Sequence, residues 1–162
     1  MAGDMFLKLA DIDGESKDDA HAGEIDILSW SWGMTNAGSM DSGGGGGTGK
    51  CSVEDISITK YVDASTAKLG LCCAQGSHIK EGTLVVRKAG GEPMEYLVIK
   101  MSKILVTSVS TGGSGGGDKI TENLSLQFAE VEVNYKVQKD DGSAGAKNGF
   151  KYNVETHIGT AT

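Results

Sequence analysis

The stretch ITENLSLQFAEVEVNYKV at residues 120–137 alternates apolar and polar side chains, the pattern of a strand with one buried face. Its phase changes at Ala129 and Glu130, because the apolar residues up to Phe128 lie at even positions and those from Val131 onward lie at odd positions. A shift of one residue moves the buried set to the other face of a strand. The stretch therefore predicts either a bulge or one long strand that bends from one sheet into another, as strands do at the corners of a barrel.

The same period of two recurs along most of the chain. It predicts further strands at 5–9, 24–34, 51–59, 83–87, 96–101 and 104–110, and a last one marked by Phe150, Tyr152, Val154 and Ile158. The glycine pair at 90–91 suits a hairpin turn between the strands at 83–87 and 96–101. One helix is expected over residues 64–74, with Asp63 as its N-cap and Gly76 as its stop. We predict a mostly β fold, a compact two-layer β-barrel or sandwich of about eight or nine strands with one flanking α-helix, as a single domain over residues 1–162.

The segment EIDILSWSWGM at residues 24–34 has two faces of different chemistry. One face is apolar and carries Leu28, Trp30, Trp32 and Met34, with the tryptophans as expected core anchors. The other face is apolar at Ile25 and Ile27 and then carries Ser29 and Ser31. Small hydroxyl side chains on that second half predict that Ser29 and Ser31 face solvent or a water-filled space.

Composition narrows the class of protein. The 162 residues carry a net charge of −7, so a phosphate backbone is repelled and nucleic acid is a poor partner. The sequence has no apolar run of the length of a membrane helix, and its first eleven residues lack the basic start and long apolar stretch of a cleavable signal. We expect reduced cysteines at Cys51, Cys72 and Cys73 and a protein made in the cytoplasm.

Several motifs imitate functional sites without meeting their requirements. The segment GGGGTGK at residues 44–50 fits the phosphate-binding loop, but Cys51 stands where a Ser or Thr must hold Mg²⁺, and a strand pattern follows where a helix is needed. The acidic run from Asp11 resembles a calcium loop. However, Ser16 stands at the turn position, where such a loop needs glycine, and Ala22 stands at the twelfth position, where it needs a bidentate glutamate.

The histidines and cysteines show no spacing typical of a metal or catalytic site. His21, His78 and His157 lie too far apart for a zinc helix, and Cys72 and Cys73 fall on the helix face expected to be buried. With no supported catalytic set we predict that the protein is not an enzyme and needs no cofactor or metal. Its glycine-rich loops and many strand edges favour a protein that assembles or binds.

The order of several blocks resembles the haemolysin-coregulated proteins (Hcp) of type VI secretion systems. These blocks are DMFLKL at 4–9, GESKD at 14–18, His21, the strand at 24–33, the glycine loop, TKY at 59–61, RKAGG at 87–91, VSTGGSGG at 109–116 and TENL at 121–124. The likeness runs from the first strand to about Tyr152. It implies a two-layer β-barrel with a helix on its flank, six copies of which form a ring with a wide central hole.

The resemblance also implies partners and a route. Rings stack head to tail into the inner tube of a contractile injection machine, wrapped by a sheath and capped by a trimeric spike. The ring lumen carries and shields small effector proteins, and the machine exports the protein without a signal peptide. Two alternatives remain open: a monomeric β-sandwich binding module, and a nucleotide-dependent enzyme that uses residues 44–50.

The resemblance also implies roles for particular residues. Ser29 and Ser31 match a family strand that faces the lumen, which makes Ser31 the first candidate for contact with cargo. The turn at Gly90 and Gly91 matches a loop at the ring face. The loop at 42–49 matches an extended loop that reaches toward a neighbouring ring, so the expected ring-to-ring contacts are Gly90, Gly91, Gly43, Gly44, Gly45, Gly46 and Gly47.

Overall fold

A computed structural model describes residues 3–38, 50–88 and 93–162. Within that part of the chain there are eleven strands and one helix. In chain order they are β1 (Gly3–Leu9), β2 (Ile25–Asp26), β3 (Ser29–Ser31), β4 (Met34–Asn36), β5 (Cys51–Val53), β6 (Ile56–Tyr61), α1 (Thr66–Gln75), β7 (His78–Lys88), β8 (Met94–Gly112), β9 (Thr121–Gln138), β10 (Ala144–Asn153) and β11 (Ile158–Ala161).

Nine of these strands form one antiparallel sheet. Seven of them follow the order β11-β10-β9-β8-β7-β1-β2, while β6 pairs with β9 and β3 pairs with β6. Among the described residues, β4 and β5 pair only with each other. The prediction of a mostly β protein with one helix is confirmed. The strands of the predicted hairpin do pair, from His78 opposite Leu105 to Lys88 opposite Met94, while its turn at Gly90 and Gly91 lies outside the described residues.

The long strand β9 bends between two layers, which is one of the two alternatives that its change of phase predicts. One edge pairs with β8 along nearly its whole length. The other edge pairs with β6 over residues 121–126 and with β10 over residues 130–138. The corner lies at Lys103 of the neighbouring strand β8, which adopts φ 53°. On its two sides, Ser102 pairs with Glu130 and Ile104 pairs with Phe128. The buried set changes at the same point, from Phe128 to Val131.

Two consecutive amides close the barrel. Ile27 donates its N–H to the carbonyl of Met5 in β1, at 3.0 Å, and Leu28 donates to the carbonyl of Thr59 in β6, at 2.8 Å. The circuit β1-β7-β8-β9-β6 therefore returns to β1 through residues 27–28. The enclosed core is apolar and includes Leu7, Ile25, Ile56, Leu84, Ile99, Ile104, Leu124 and Leu126.

The single strand predicted over 24–34 is wrong, because this segment forms three short strands. β2 pairs with β1, β3 with β6 and β4 with β5, so the chain changes partner twice within ten residues. Leu28 and Met34, predicted on the buried face, are 41% and 40% exposed, since the alternation is broken where the chain crosses from one layer to the other. Trp30 and Trp32 do pack against the core, although each is half-buried. The strand predicted at 51–59 is likewise divided into β5 and β6.

The helix begins two residues later than predicted. Ser65 occupies the N-cap position, while Asp63 accepts the N–H of Ser65 at 2.9 Å and so stabilises the turn that precedes the helix. Gly76 ends the helix in the left-handed region at φ 66°, as predicted, and its N–H bonds to the carbonyl of Cys72. Leu69 is fully buried and anchors α1 to the barrel. No helix in the described ranges is long and apolar enough to cross a membrane.

Candidate functional site

Ser29 and Ser31 lie at the two ends of β3, and both are exposed. Between them, Trp30 turns toward the core and packs against it. The alternation of a short strand thus directs the two hydroxyls to the outside of the barrel, as the sequence predicts.

These two serines belong to a wider surface. Ser31 lies opposite Ser57, which lies opposite Ser125, which in turn lies opposite Ser108. In the next row Ser29, Thr59, Asn123 and Ser110 are opposite one another in the same way. Residues directly opposite in antiparallel strands share a face of the sheet. We call these eight residues on β3, β6, β9 and β8 the polar face.

The polar face has no charged side chain. Six of its members are exposed, and Thr59 and Ser125 are half-buried. The Thr59 hydroxyl donates to Asn123 Oδ1 at 2.7 Å, which links β6 to β9 on the outside of the layer. When a hydroxyl exchanges a hydrogen bond to water for one to another protein, the net change in free energy is only about 1 kcal/mol. Such a surface suits weak, reversible contact rather than tight binding of a charged ligand.

Sequence reasoning singled out Ser29 and Ser31 and missed the other six members of the polar face. The signal for them was present, since Ser57 and Thr59 alternate with Ile56 and Ile58, and Asn123 and Ser125 alternate with leucines. The pairing of these strands is what brings them together.

The glycines expected at ring contacts, Gly90, Gly91 and Gly43 to Gly47, lie outside the described residues. The base of the hairpin that carries Gly90 and Gly91 is described, and it is held by two ionic groups. Arg87 donates to both carboxylate oxygens of Asp18, at 3.0 and 2.6 Å, and to Asp4 Oδ2 at 2.9 Å. These bonds from Arg87 lower the pKa of Asp18 to about 2, and the same two carboxylates raise the pKa of Arg87.

Beside this arginine, a buried imidazole joins the hairpin to the loop before β2. His21 contacts Glu24 through Nδ1, and its Nε2 lies 2.7 Å from Glu95 Oε1. The ring stacks on Phe6, with 4.2 Å between the ring centroids. The loop at 10–24 is therefore held against the first residues of β8.

A second buried ionic cluster joins α1 to the barrel. Lys60 and Glu122 are both fully buried, and the Lys60 ammonium donates to Glu122 Oε2 at 2.9 Å and to Asp63 Oδ1 at 3.0 Å. The Thr66 hydroxyl in the first turn of α1 donates to the same Glu122 oxygen at 2.8 Å. Because Lys60 and Glu122 are fully buried and bonded to the first turn of α1, this cluster positions the helix and fits a structural role.

The motifs that imitate catalytic or metal sites lead to no site in the described residues. Cys51 opens the strand β5, so no helix follows Lys50 to face a phosphate. In the acidic loop, Glu15 accepts the N–H of Ala64 at 2.9 Å, and Asp18 is bound to Arg87. No group of three or more His, Cys, Asp or Glu side chains with the arrangement of a metal site occurs among residues 3–38, 50–88 and 93–162.

Comparison with known proteins gives one consistent family. The sequence model of the family "Type VI secretion system effector, Hcp" matches residues 6–135. The chain is 52% identical to Protein hcp1 of Pseudomonas aeruginosa, over 98% of this chain and 99% of that protein. A solved structure of a type six secretion system protein superimposes with a TM-score of 0.92 at 30% identity, covering 98% of this chain and 100% of that one. Hcp1 from Salmonella typhimurium superimposes with a TM-score of 0.80 at 35% identity, covering 99% and 100% of the two chains.

Proposed function

The chain belongs to the Hcp family of type VI secretion system effectors, and from that premise we propose that it is a structural subunit of the inner tube. Six copies form a ring, and rings stack head to tail. The ring is exported when the surrounding sheath contracts, and small effector proteins travel in its lumen. Its partners are further copies of itself, the spike, the sheath and the effectors, and we propose no catalytic step.

The polar face is the observation that supports this proposal most directly. It is built from four strands of a closed barrel, so its shape does not depend on a mobile loop. Its eight side chains offer hydroxyl and amide groups and no charge. A lumen must hold different cargo proteins weakly enough to release them, and a wall of short uncharged groups meets that need. We therefore assign the polar face, with Ser29 and Ser31 at its β3 edge, to the lumen.

We further propose that stacking uses the hairpin between β7 and β8. Arg87 and His21 fix its base through bonds to Asp18 and Glu95, which supports a role for this hairpin in contact between rings. The loop that contains Gly43 to Gly47 is proposed as the second ring contact. A rigid base lowers the conformational entropy that is lost when two rings meet.

Molar mass in solution tests the ring. One chain has a mass of 16.8 kDa, so a hexamer has about 101 kDa, and light scattering after size exclusion separates the two cases. We expect the larger mass, with annular particles in negative stain. A monomer that persists on concentration would contradict independent ring formation and favour the monomeric binding module.

The assignment of the lumen is tested by substituting Ser31. We expect Ser31→Gln to weaken co-purification of a small effector exported by the same machine while the molar mass stays unchanged, because the longer side chain occupies space at the wall. Thr160→Gln on β11 is the matched control, since Thr160 is exposed on the opposite layer. Equal effector recovery from the two variants would refute this placement of the polar face.

A further inference from the structure

We propose that His21 is a pH-sensitive contact between the loop at 10–24 and the first residues of β8, closed when its imidazole is protonated and open when the imidazole is neutral. Its partners are Glu24 and Glu95, and we call these three residues the histidine cluster. Opening of the cluster loosens the base of the β7–β8 hairpin. Weaker stacking of rings at higher pH would follow, and that consequence alone rests on the proposed function.

Both ring nitrogens of His21 face a carboxylate. Nδ1 contacts Glu24 Oε2, and Nε2 lies 2.7 Å from Glu95 Oε1. A protonated imidazole donates through both nitrogens, whereas a neutral imidazole donates through one and presents a lone pair at the other. Only the protonated ring can therefore donate to both ionised carboxylates. In the neutral ring one lone pair faces a carboxylate oxygen, and the two repel each other.

Glu95 is the partner that the neutral ring loses. Glu24 lies three residues from His21 in the same loop, and its backbone N–H donates to the His21 carbonyl at 3.1 Å, which keeps these two residues together. Glu95 belongs to β8, and its side chain is 41% exposed, so its carboxylate can turn into water. The proton of the neutral ring therefore stays on Nδ1, toward Glu24. Loss of the other proton breaks the hydrogen bond between the loop and β8.

The ring of His21 has no comparable route into water. The residue is 6% exposed, and its ring stacks on Phe6 with 4.2 Å between the ring centroids. A change in the charge of the ring must therefore be met by movement of the loop or of Glu95. His78 and His157 are exposed, so water can solvate both of their protonation states, and they provide an internal comparison.

A second attachment of the same loop does not respond to pH in this range. The other charged groups around the ring are Asp18 in the loop, Asp4 on β1 and Arg87 on β7. Arg87 lies 5.0 Å from the centroid of the Phe6 ring and binds both carboxylates. These bonds lower the pKa of Asp18 to about 2 and raise the pKa of Arg87. The ion pair of Asp18 and Arg87 therefore persists between about pH 5 and about pH 8, where histidine side chains ordinarily change charge.

The pairing of β8 is irregular at the point where Glu95 is attached. Val86 lies opposite Leu97 and Arg87 lies opposite Glu95, so one residue of β8 between them is left without a partner on β7. A bulge of this kind disrupts the hydrogen-bonded ladder. The pairing of β8 with β9 begins at Leu97 and gives Glu95 no support. The bond from Glu95 to His21 therefore supports β8 where its backbone pairing is interrupted, and its loss opens this end of the strand.

Hydrogen exchange followed by mass spectrometry tests the proposal. The protein is labelled from about pH 5 to about pH 9, and the exchange of peptides covering residues 15–25 and 94–98 is corrected for the pH dependence of chemical exchange. We expect their protection to fall about tenfold, because a hydrogen bond to a charged group contributes at least about 1.4 kcal/mol, a factor of ten. The three histidines give three side-chain NMR signals, and the midpoint of the His21 signal should coincide with the midpoint of that fall.

The variants separate the histidine cluster from its surroundings. His21→Gln should abolish the pH dependence of protection, and Glu95→Gln should strongly reduce it. The matched control His78→Gln changes an exposed histidine and should keep the pH dependence. Asp18→Asn should lower protection of the loop by the same factor across this range, since the parent carboxylate is ionised throughout.

Protection that does not change with pH in the parent protein would overturn the proposal. A pH dependence that persists unchanged in His21→Gln or in Glu95→Gln would also overturn it, and Glu95→Gln keeps the test available if His21→Gln does not fold. Protection is scored within each chain whether or not rings form, so the result is independent of the proposed function. The molar mass at each pH reports separately on the ring.

Discussion

Removing one partner of the buried pair Lys60 and Glu122 should destabilise the protein far more than removing both. The two charges are 2.9 Å apart, so their attraction is about 6 kcal/mol at an effective dielectric constant of about 20. Lys60→Met leaves the fully buried Glu122 carboxylate with only the Thr66 hydroxyl. We expect the free energy of unfolding to fall by about 3–5 kcal/mol, the usual cost of an uncompensated buried charge.

The double variant Lys60→Met/Glu122→Leu should recover most of that loss. It removes both charges from the interior and fills their volume with apolar side chains, an exchange that is often neutral or stabilising. The free energy of unfolding of the parent protein and the two variants is measured by urea unfolding, with the fluorescence of Trp30 and Trp32 as the signal. All three are measured at the same protein concentration, because association of the chains adds to apparent stability. A loss below about 1 kcal/mol for Lys60→Met, or a double variant as unstable as the single one, would refute the electrostatic argument.

Three further substitutions test local features. Gly70→Ala in α1 should stabilise the protein by about 0.5–1 kcal/mol, since the added methyl group meets nothing within 4 Å. Gly14→Ala should destabilise it by about 1–3 kcal/mol, because its methyl group would lie 2.5 Å from the carbonyl oxygen of Glu24. Thermal unfolding of the two variants compares them, and equal shifts would contradict the contact geometry. Asp18→Asn should lower stability near pH 6, because the bond to Arg87 lowers the folded-state pKa of Asp18 from 3.8 to about 2. The stabilisation by the Asp18 carboxylate is complete above pH 3.8 and is lost as the pH falls toward 2. The difference in stability between Asp18→Asn and the parent protein should therefore disappear near pH 2. A difference that persists at pH 2 would show another cause.

Much of the fold could be predicted from local periodicity. The change of phase at Ala129 locates the corner of the barrel because a strand exposes alternate residues whatever it pairs with. The stop of the helix at Gly76 was predictable for a similar reason, since a left-handed residue favours glycine. The segment at 24–34 also changes phase, between Ile27 and Leu28, but that change does not show that β2 and β3 pair with different strands.

The candidate functional surface shows the same difference between what a local pattern predicts and what strand pairing decides. Ser29 and Ser31 follow from the pattern of their own strand, but the polar face exists only because β3, β6, β9 and β8 are neighbours. The pairing of Lys136 with Lys147 likewise follows from the register of β9 and β10 and not from either strand alone. A local pattern indicates which side of a strand is exposed to solvent. It does not indicate which residue of a distant strand lies opposite a given residue.

The mostly β class, the position of the phase change in β9, the end of the helix and the family follow from the sequence alone. Only the fold shows that Lys60 and Glu122 are a buried pair, although both occupy the buried phase of their strands, beside Ile58 and Leu124. The physical reason is that periodicity depends on neighbours along the chain, whereas burying a charge is tolerated only when an opposite charge arrives from elsewhere in the fold.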